Sequence, residues 1–156
     1  MYNSTRRHCF LVFGIALVLI CDRILKFIVP LSLEPGQSVP LVGKAILLTY
    51  VQNTGTAFGL FREHTFVFVI ISSVVIAILL WFALARPHLL GISLSGDGAT
   101  AVGLIIGGAI GNLADRLVFG YVIDFVDFQV WPVFNAADAG IVLGTIVMGW
   151  RLIFRK

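Results

Sequence analysis

The sequence predicts an all-α polytopic membrane protein with four transmembrane helices and a small β-cradle on the extracytoplasmic side. The first observation is composition, because 59% of the 156 residues are hydrophobic, 12% are charged, and the mean hydropathy is +1.02. Soluble domains are about 45–50% apolar and about 25% charged, and one of this size would expose large apolar patches. Disordered chains are polar, so the same composition excludes disorder. The second observation is a set of four apolar stretches, each close to the roughly 20 residues that cross a bilayer.

The four predicted spans and the loops between them form one membrane domain, residues 1–156. The first span follows Arg6 and Arg7 and resembles a signal peptide. However, Ile20 precedes Cys21 where a cleavage site needs small residues, so we expect this span to be retained. The spans are residues 9–29, 65–85, 99–118 and 136–154, and the two long loops are residues 30–64 and 119–135.

The distribution of basic residues predicts the orientation of these spans. Lysine and arginine near span ends mark the cytoplasmic side, so both termini are predicted to be cytoplasmic and both long loops extracytoplasmic. The net charge of +3 includes no basic run, which argues against nucleic-acid binding. The residues on the predicted cytoplasmic side are Arg6, Arg7, Arg86, Arg151, Arg155 and Lys156.

The first long loop is predicted to contain a short strand or hairpin at the membrane surface. Residues 45–52 are apolar and β-prone. They lead into Asn53 and Gly55, with Gly59 shortly after. Glycine permits close backbone approach to a ligand, and the Asn53 amide can both donate to and accept from a peptide group. A plain turn into the second span fits this segment equally well.

Seven of the eight acidic residues fall toward the predicted outer side, several of them at or inside a span. Ionisable groups are costly in a membrane and by default mark a functional site. Asp22 and Lys26 are four residues apart on a helix, acid first, which favours an ion pair. That pair either makes a buried acid tolerable or acts in function directly. The outer acids are Asp22, Glu34, Glu63, Asp115, Asp124, Asp127 and Asp138.

The third span combines a packing seam with a polar end. Gly103, Gly107 and Gly111 recur every four residues, a spacing that lets membrane helices approach closely. Asp115 and Arg116 fit a salt-bridged helix end, although the planar guanidinium also suits carboxylate or backbone oxygens. The residues that lead into this polar end are Gly108, Asn112, Asp115 and Arg116.

Two of the outer acids, Asp124 and Asp138, suggest acid–base chemistry. Asp138 opens the fourth span, where Asn135 and Asp138 resemble a helix capping box. Capping does not explain why Asp124, at the same membrane level as Asp138, stands among aromatic residues. Two carboxylates at one site share a proton, so that one can polarise a carbonyl while the other activates water. The sequence has no zincin motif, no phosphate-binding loop, no nucleophile elbow and no metal-ligating cysteine pair.

Taken together, these segments resemble the bacterial lipoprotein signal peptidase family, signal peptidase II. They appear in the family's order and cover most of the chain. Three positions depart from the usual pattern: Leu25 replaces Ser or Thr, Thr56 replaces Ala, and Ala139 replaces Ser. The matching motifs are Asp22-x-x-x-Lys26, Asn53-x-Gly55-x-Ala57-Phe58-Gly59, Gly111-Asn112-x-x-Asp115-Arg116, Val122-Ile123-Asp124-Phe125 and Phe134-Asn135-x-Ala137-Asp138.

The resemblance implies an aspartic endopeptidase of the bacterial cytoplasmic membrane that needs no metal or cofactor. Such enzymes cut prolipoproteins just before a diacylglyceryl-modified cysteine, contact membrane lipids and are inhibited by globomycin. By resemblance, Asp124 and Asp138 form the catalytic pair, and Asn53 and Arg116 contact substrate. The residues that would shape the site are Asp22, Lys26, Gly55, Asn112, Asp115 and Asn135. The rival hypotheses are a small proton-coupled carrier, which would distribute acids through the membrane depth, and an assembly protein that packs through its glycines.

Overall fold

The computed structural model describes residues 4–55, 65–90 and 96–154 of the chain. Within them it is mostly helical, with one small antiparallel sheet. A short 3₁₀ helix, Pro87–Leu90, follows the second long helix. The other elements, in chain order, are α1 (Ser4–Ser32), β1 (Ser38–Val42), β2 (Ile46–Asn53), α2 (Thr65–Ala85), α3 (Asp97–Phe119), β3 (Val122–Asp127) and α4 (Ala136–Ile153).

Three of the described helices, α2, α3 and α4, are long and apolar enough to cross a membrane. Their bounds agree with the predicted second, third and fourth spans to within two residues at each end. Helix α1 covers the first predicted span and extends beyond it on both sides. It carries Asp22, Arg23 and Lys26 in its second half. That α1 also crosses the membrane remains a prediction.

Helix α3 lies between α1 and α4, and glycines allow this close packing. A methyl group at Gly103 would overlap the carbonyl oxygen of Leu11 on α1, and one at Gly14 would overlap that of Thr100 on α3. Gly108, on a neighbouring face of α3, touches the backbone of Ala137 on α4 in the same way. The predicted glycine seam is therefore confirmed. It brings the polar ends of three helices together.

The sheet has the strand order β1-β2-β3 and lies over one end of the helices. The hairpin of β1 and β2 confirms the prediction for the first loop. The third strand lies in residues 119–135, where the sequence predicted only a loop. Strand β3 does not alternate, because Val122, Ile123, Asp124 and Phe125 are all buried. Without a period of two, the usual signal of a half-exposed strand is missing.

A small apolar core fastens the sheet to the helices. Val29 and Leu33 at the end of α1 pack with Tyr50 of β2 and with Ile123 and Phe125 of β3. This core fixes strand β3 against α1. Because Val51 pairs with Asp124 and Asn53 pairs with Val122, the end of β2 lies beside Asp124.

Candidate active site

Asp124 and Asp138 face one cavity of about 1020 Å³. Asp124 lies in the middle of β3 and is 2% exposed. Asp138 lies in the first turn of α4. The antiparallel strand and the helix start therefore bring together two carboxylates that are 14 residues apart in sequence, as 138 − 124 = 14. Asn53, Asn112 and Arg116 line the same cavity.

Two side-chain amides hold the Asp124 carboxylate. Asn53 Nδ2 donates to its Oδ2 at 2.8 Å, and Asn135 Nδ2 donates to its Oδ1 at 2.6 Å. Burial is the largest influence and raises the pKa of Asp124 to about 7, helped by the negative charge of Asp138. The two amides and the Lys26 charge oppose this rise. Asp124 therefore exchanges its proton near neutral pH.

Asp138 belongs to the capping box that begins α4. The Asn135 side chain accepts from the backbone N–H of Asp138 at 2.9 Å, and Asp138 Oδ2 accepts from the backbone N–H of Asn135 at 3.2 Å. The predicted capping box is confirmed. The other oxygen, Oδ1, accepts from Asn112 Nδ2 at 2.7 Å. Asp138 thus caps the helix and faces the cavity at once.

Two asparagine amides connect the acids. Asn135 Nδ2 donates both to Asp124 and to Asn112 Oδ1, the latter at 3.1 Å, and Asn112 donates on to Asp138. An amide carries two donor hydrogens and one acceptor oxygen, so its orientation is fixed once these partners are in place. Asn112 and Asn135, both buried, therefore set the geometry of the acid pair.

Asn53 is itself held by a local turn. Its Oδ1 accepts from the backbone N–H of Gly55 at 3.0 Å, which directs Nδ2 toward Asp124. The rest of that predicted motif, Thr56 to Gly59, lies outside the described residues.

Next to the acid pair lies a largely buried ionic cluster. Asp22, Lys26 and Asp115 are buried in it, and the fourth member, Arg23, is partly exposed. Lys26 Nζ lies 3.0 Å from Asp22 and 2.7 Å from Asp115, so the predicted Asp22–Lys26 ion pair is confirmed. Asp22 Oδ1 also accepts from the backbone N–H of Ala137 at 3.0 Å, next to Asp138. The cluster joins α1, α3 and α4, and Lys26 links it to the cavity by donating to Asn112 Oδ1.

Arg116 borders the cavity from α3. Its Nη1 donates to the backbone carbonyl of Asn112 at 3.3 Å, and its guanidinium lies 5.3 Å from the Phe68 ring centroid. Its positive charge interacts favourably with the negative charges of Asp138 and Asp124.

Asp127 stands apart from the pair although it lies on the same strand. Its Oδ2 accepts from Thr49 Oγ1 at 3.1 Å and its Oδ1 from the backbone N–H of Gln129 at 2.7 Å. It is absent from the cavity lining. Its role is to fix the turn after β3.

Two features of the site were missed in the sequence. Arg23 belongs to the ionic cluster, and its proximity to Asp22 in an apolar helix was the available signal. The loop after β3 forms one wall of the cavity, and its signal was an apolar, aromatic run in a segment between acidic residues. These wall residues are Phe128, Val130, Trp131, Pro132, Val133 and Phe134.

Within residues 4–55, 65–90 and 96–154, no group of three or more His, Cys, Asp or Glu side chains could hold a metal ion.

The four acids Asp22, Asp115, Asp124 and Asp138 gather at one end of the helices. A carrier would need them at several depths.

Comparison with known proteins identifies one family of relatives. Residues 14–154 match the family described as signal peptidase (SPase) II. The chain is 43% identical to the lipoprotein signal peptidase of Moorella thermoacetica, over 88% of each chain. It is 41% identical to that of Pelotomaculum thermopropionicum, over 92% of this chain and 91% of the relative. A solved bacterial membrane enzyme superposes with a TM-score of 0.82 at 26% identity, covering 92% of this chain and 87% of that one.

Proposed function

The chain belongs to the signal peptidase II family, which cleaves signal peptides from prolipoproteins, and we propose that it does so as a metal-independent aspartic endopeptidase. It is a multi-pass protein of the bacterial inner membrane. The proposed cut falls just before the diacylglyceryl-modified cysteine.

The observation that carries the proposal is the pair Asp124 and Asp138 on one cavity. Two carboxylates that interact in a buried site retain one proton between them into the neutral range, and the pKa of about 7 at Asp124 agrees with this. The protonated member polarises the scissile carbonyl, while the ionised member takes a proton from the attacking water. Proximity of peptide and water supplies much of the rate.

The proposed substrate binds as an extended peptide beside β2. Asn53 Nδ2 gives one hydrogen to Asp124, and its second can donate to a peptide carbonyl. Arg116 offers a planar set of donors to another backbone carbonyl. Apolar lining residues on α2 and α4, namely Phe68, Val142 and Leu143, suit the lipid chains of the modified cysteine.

In the proposed arrangement α1 crosses the membrane in addition to α2, α3 and α4, and both termini are cytoplasmic. The sheet and the catalytic cavity then face the extracytoplasmic side. The extent of α1 supports this, because 29 helical residues span ~44 Å, more than the apolar core of a bilayer.

The direct test is cleavage of a diacylglyceryl-modified prolipoprotein peptide by the purified protein. We expect cutting before the modified cysteine, inhibition by globomycin and no effect of EDTA. Inhibition by EDTA that added metal reverses would overturn the metal-independent mechanism. Folded protein that leaves the lipidated substrate intact would overturn the proposed function.

The acid pair is tested by Asp124→Asn and Asp138→Asn. Each removes a group that must exchange a proton, so kcat should fall at least ~100-fold. Asp127→Asn is the matched control on the same strand. We expect it to retain activity, because its carboxylate holds a turn outside the cavity. Substantial cleavage by a pure Asp124 or Asp138 variant would refute the assignment.

A further inference from the structure

The buried ionic cluster holds two carboxylates that the proposed mechanism does not use. Asp22 and Asp115 are both 0% exposed. Buried charges are tolerated when they are paired and hydrogen-bonded, because isolated ones lose their hydration without compensation. Two buried negative charges at the α1–α3 contact therefore require two positive charges.

Lys26 supplies one of them and also contacts the active site. Its Nζ lies 3.0 Å from Asp22 Oδ2 and 2.7 Å from Asp115 Oδ2, and it donates to Asn112 Oδ1 at 3.0 Å. One ammonium donor is therefore used by Asn112, while the charge faces both carboxylates. Lys26 thus divides one positive charge between two carboxylates while fixing the oxygen end of the Asn112 amide.

Arg23 supplies the second positive charge. Its Nη2 lies 2.7 Å from Asp22 Oδ2, 2.7 Å from Asp115 Oδ1 and 2.9 Å from the carbonyl oxygen of Gly111. Its side chain is 40% exposed, and a guanidinium remains charged at every physiological pH. The cluster of Asp22, Asp115, Lys26 and Arg23 is therefore neutral as a whole.

We propose that Arg23 is a positioning residue for the cleavage reaction, acting through Lys26 and Asn112 on Asp138. With Arg23 in place, Lys26 keeps its hydrogen bond to Asn112 Oδ1, and Asn112 Nδ2 stays directed at Asp138 Oδ1. This inference rests on the proposed catalytic role of Asp138.

Loss of the Arg23 charge should draw Lys26 toward the two carboxylates and away from Asn112. The oxygen of the Asn112 amide then keeps only the hydrogen bond from Asn135, so the Nδ2 donor to Asp138 is less firmly placed. Reaction rates are sensitive to such shifts, since a misplacement of ~1 Å can cost about 100-fold. The effect should appear in kcat, because Arg23 is absent from the cavity lining.

The test measures kcat, KM and the thermal unfolding midpoint of purified variants on the lipidated prolipoprotein peptide. For Arg23→Gln we expect kcat to fall about tenfold with KM changed less than about twofold. Arg23→Lys keeps the charge and should remain within about threefold of the unsubstituted enzyme. Arg6→Gln, the same change elsewhere on α1, is the control and should leave kcat unaltered.

The charge argument is tested by the double variant Arg23→Gln with Asp115→Asn. It leaves one buried carboxylate and one lysine, so the cluster is neutral again. We expect its kcat to exceed that of either single variant, a non-additive result that a loss of unrelated contacts would not give.

Three outcomes would overturn the proposal. One is normal kcat in folded Arg23→Gln, and another is a double variant whose loss equals the product of the single losses. If Arg23→Gln does not fold, the proposal is tested with Arg23→Lys and the double variant. The third contradicting outcome is then a double variant that is inactive or unfolded. Absence of cleavage by the unsubstituted enzyme would instead refute the proposed function.

Discussion

At the scale of single residues, the protonation of Asp124 predicts how activity depends on pH. Its pKa of about 7 lies well above the ordinary carboxyl value of 3.8, chiefly because of burial. The acid pair therefore holds its shared proton below pH ~7 and loses it above. We expect kcat/KM to fall as the pH rises through about 7, measured as a pH–rate profile.

Asn53→Ala should move that fall to higher pH. The Asn53 amide donates to Asp124 Oδ2 and favours the ionised carboxylate, so its removal raises the pKa further. A hydrogen bond to a charged group is worth about 1.5–3 kcal/mol, which corresponds to a pKa shift of roughly one to two units. The overall rate should fall as well, because Asn53 is also a proposed substrate contact.

Gln52→Ala is the control for this shift. Gln52 neighbours Asn53 on β2, yet its amide donates to the hydroxyls of Tyr50 and Tyr121. We expect its pH profile to match that of the unsubstituted enzyme. If activity in Asn53→Ala falls at the same pH as in the unsubstituted enzyme, the Asn53 amide does not influence the pKa of Asp124.

The sequence predicted most of the residues that lie together at the candidate site, but not all of their partners. Spacing predicted the Asp22–Lys26 pair and the Asn135–Asp138 cap, because both are local to one helix. The contact of Arg23 with Asp115 joins residues 92 apart (115 − 23 = 92) and depends on how α1 packs on α3. No local pattern contains that information.

At the scale of secondary-structure elements, the start of α4 combines a helix cap with a contact to the acid pair. Asn135→Ala removes the acceptor that caps the helix and also the amide that holds Asp124. Loss of such a cap costs about 1 kcal/mol, so the unfolding midpoint should fall a few degrees. Activity should fall at least about tenfold, because the acid pair loses its bridge.

Asn135→Ser separates these two roles. A serine oxygen can accept from the backbone N–H of Asp138, but serine has no amide to donate to Asp124 and Asn112 together. We expect stability close to that of the unsubstituted protein, with activity as low as in Asn135→Ala. Restored activity in the serine variant would mean that the cap alone positions the pair.

The glycine contact between α1 and α3 makes a second prediction about elements. Gly103→Ala should force the helices apart, because the added methyl group meets the backbone oxygen of Leu11. Such overpacking costs about 1–3 kcal/mol. The unfolding midpoint in detergent should fall, and the ionic cluster across this contact should loosen.

Gly149→Ala is the matched control, because a methyl group there meets nothing within 4 Å. Helical glycine is about 0.5–1 kcal/mol less favourable than alanine, so this variant should be as stable as the unsubstituted protein or slightly more so. Equal effects of the two substitutions would contradict the close α1–α3 contact.

The elements differ in how far the sequence could specify them. Helices α2, α3 and α4 were predicted because a long apolar run is a sufficient signal. Strand β3 was not, because its burial comes from packing against α1 and pairing with β2, far away in sequence. Its β-branched residues Val122, Ile123 and Val126 were a weak signal that no turn or alternation reinforced.

At the scale of the whole molecule, the remaining prediction is orientation. An exposed residue for labelling lies on either side of the predicted first span, Ser4 before it and Lys44 after it, in the turn between β1 and β2. His88, after α2, is exposed as well. A single cysteine at one of these positions, in a chain from which Cys9 and Cys21 have been removed, reports which side it faces.

We expect a membrane-impermeant thiol reagent to label Lys44→Cys in intact spheroplasts, and to label Ser4→Cys and His88→Cys only after permeabilisation. This pattern requires α1 to cross the bilayer and the sheet to be extracytoplasmic. It follows from the basic residues flanking the spans and from the position of the sheet at the end of α1 opposite Ser4. Labelling of Ser4→Cys and Lys44→Cys on the same side would mean that α1 does not span the membrane. The cavity would then still contain its acid pair, but an inserted signal peptide would have to reach it by a different route.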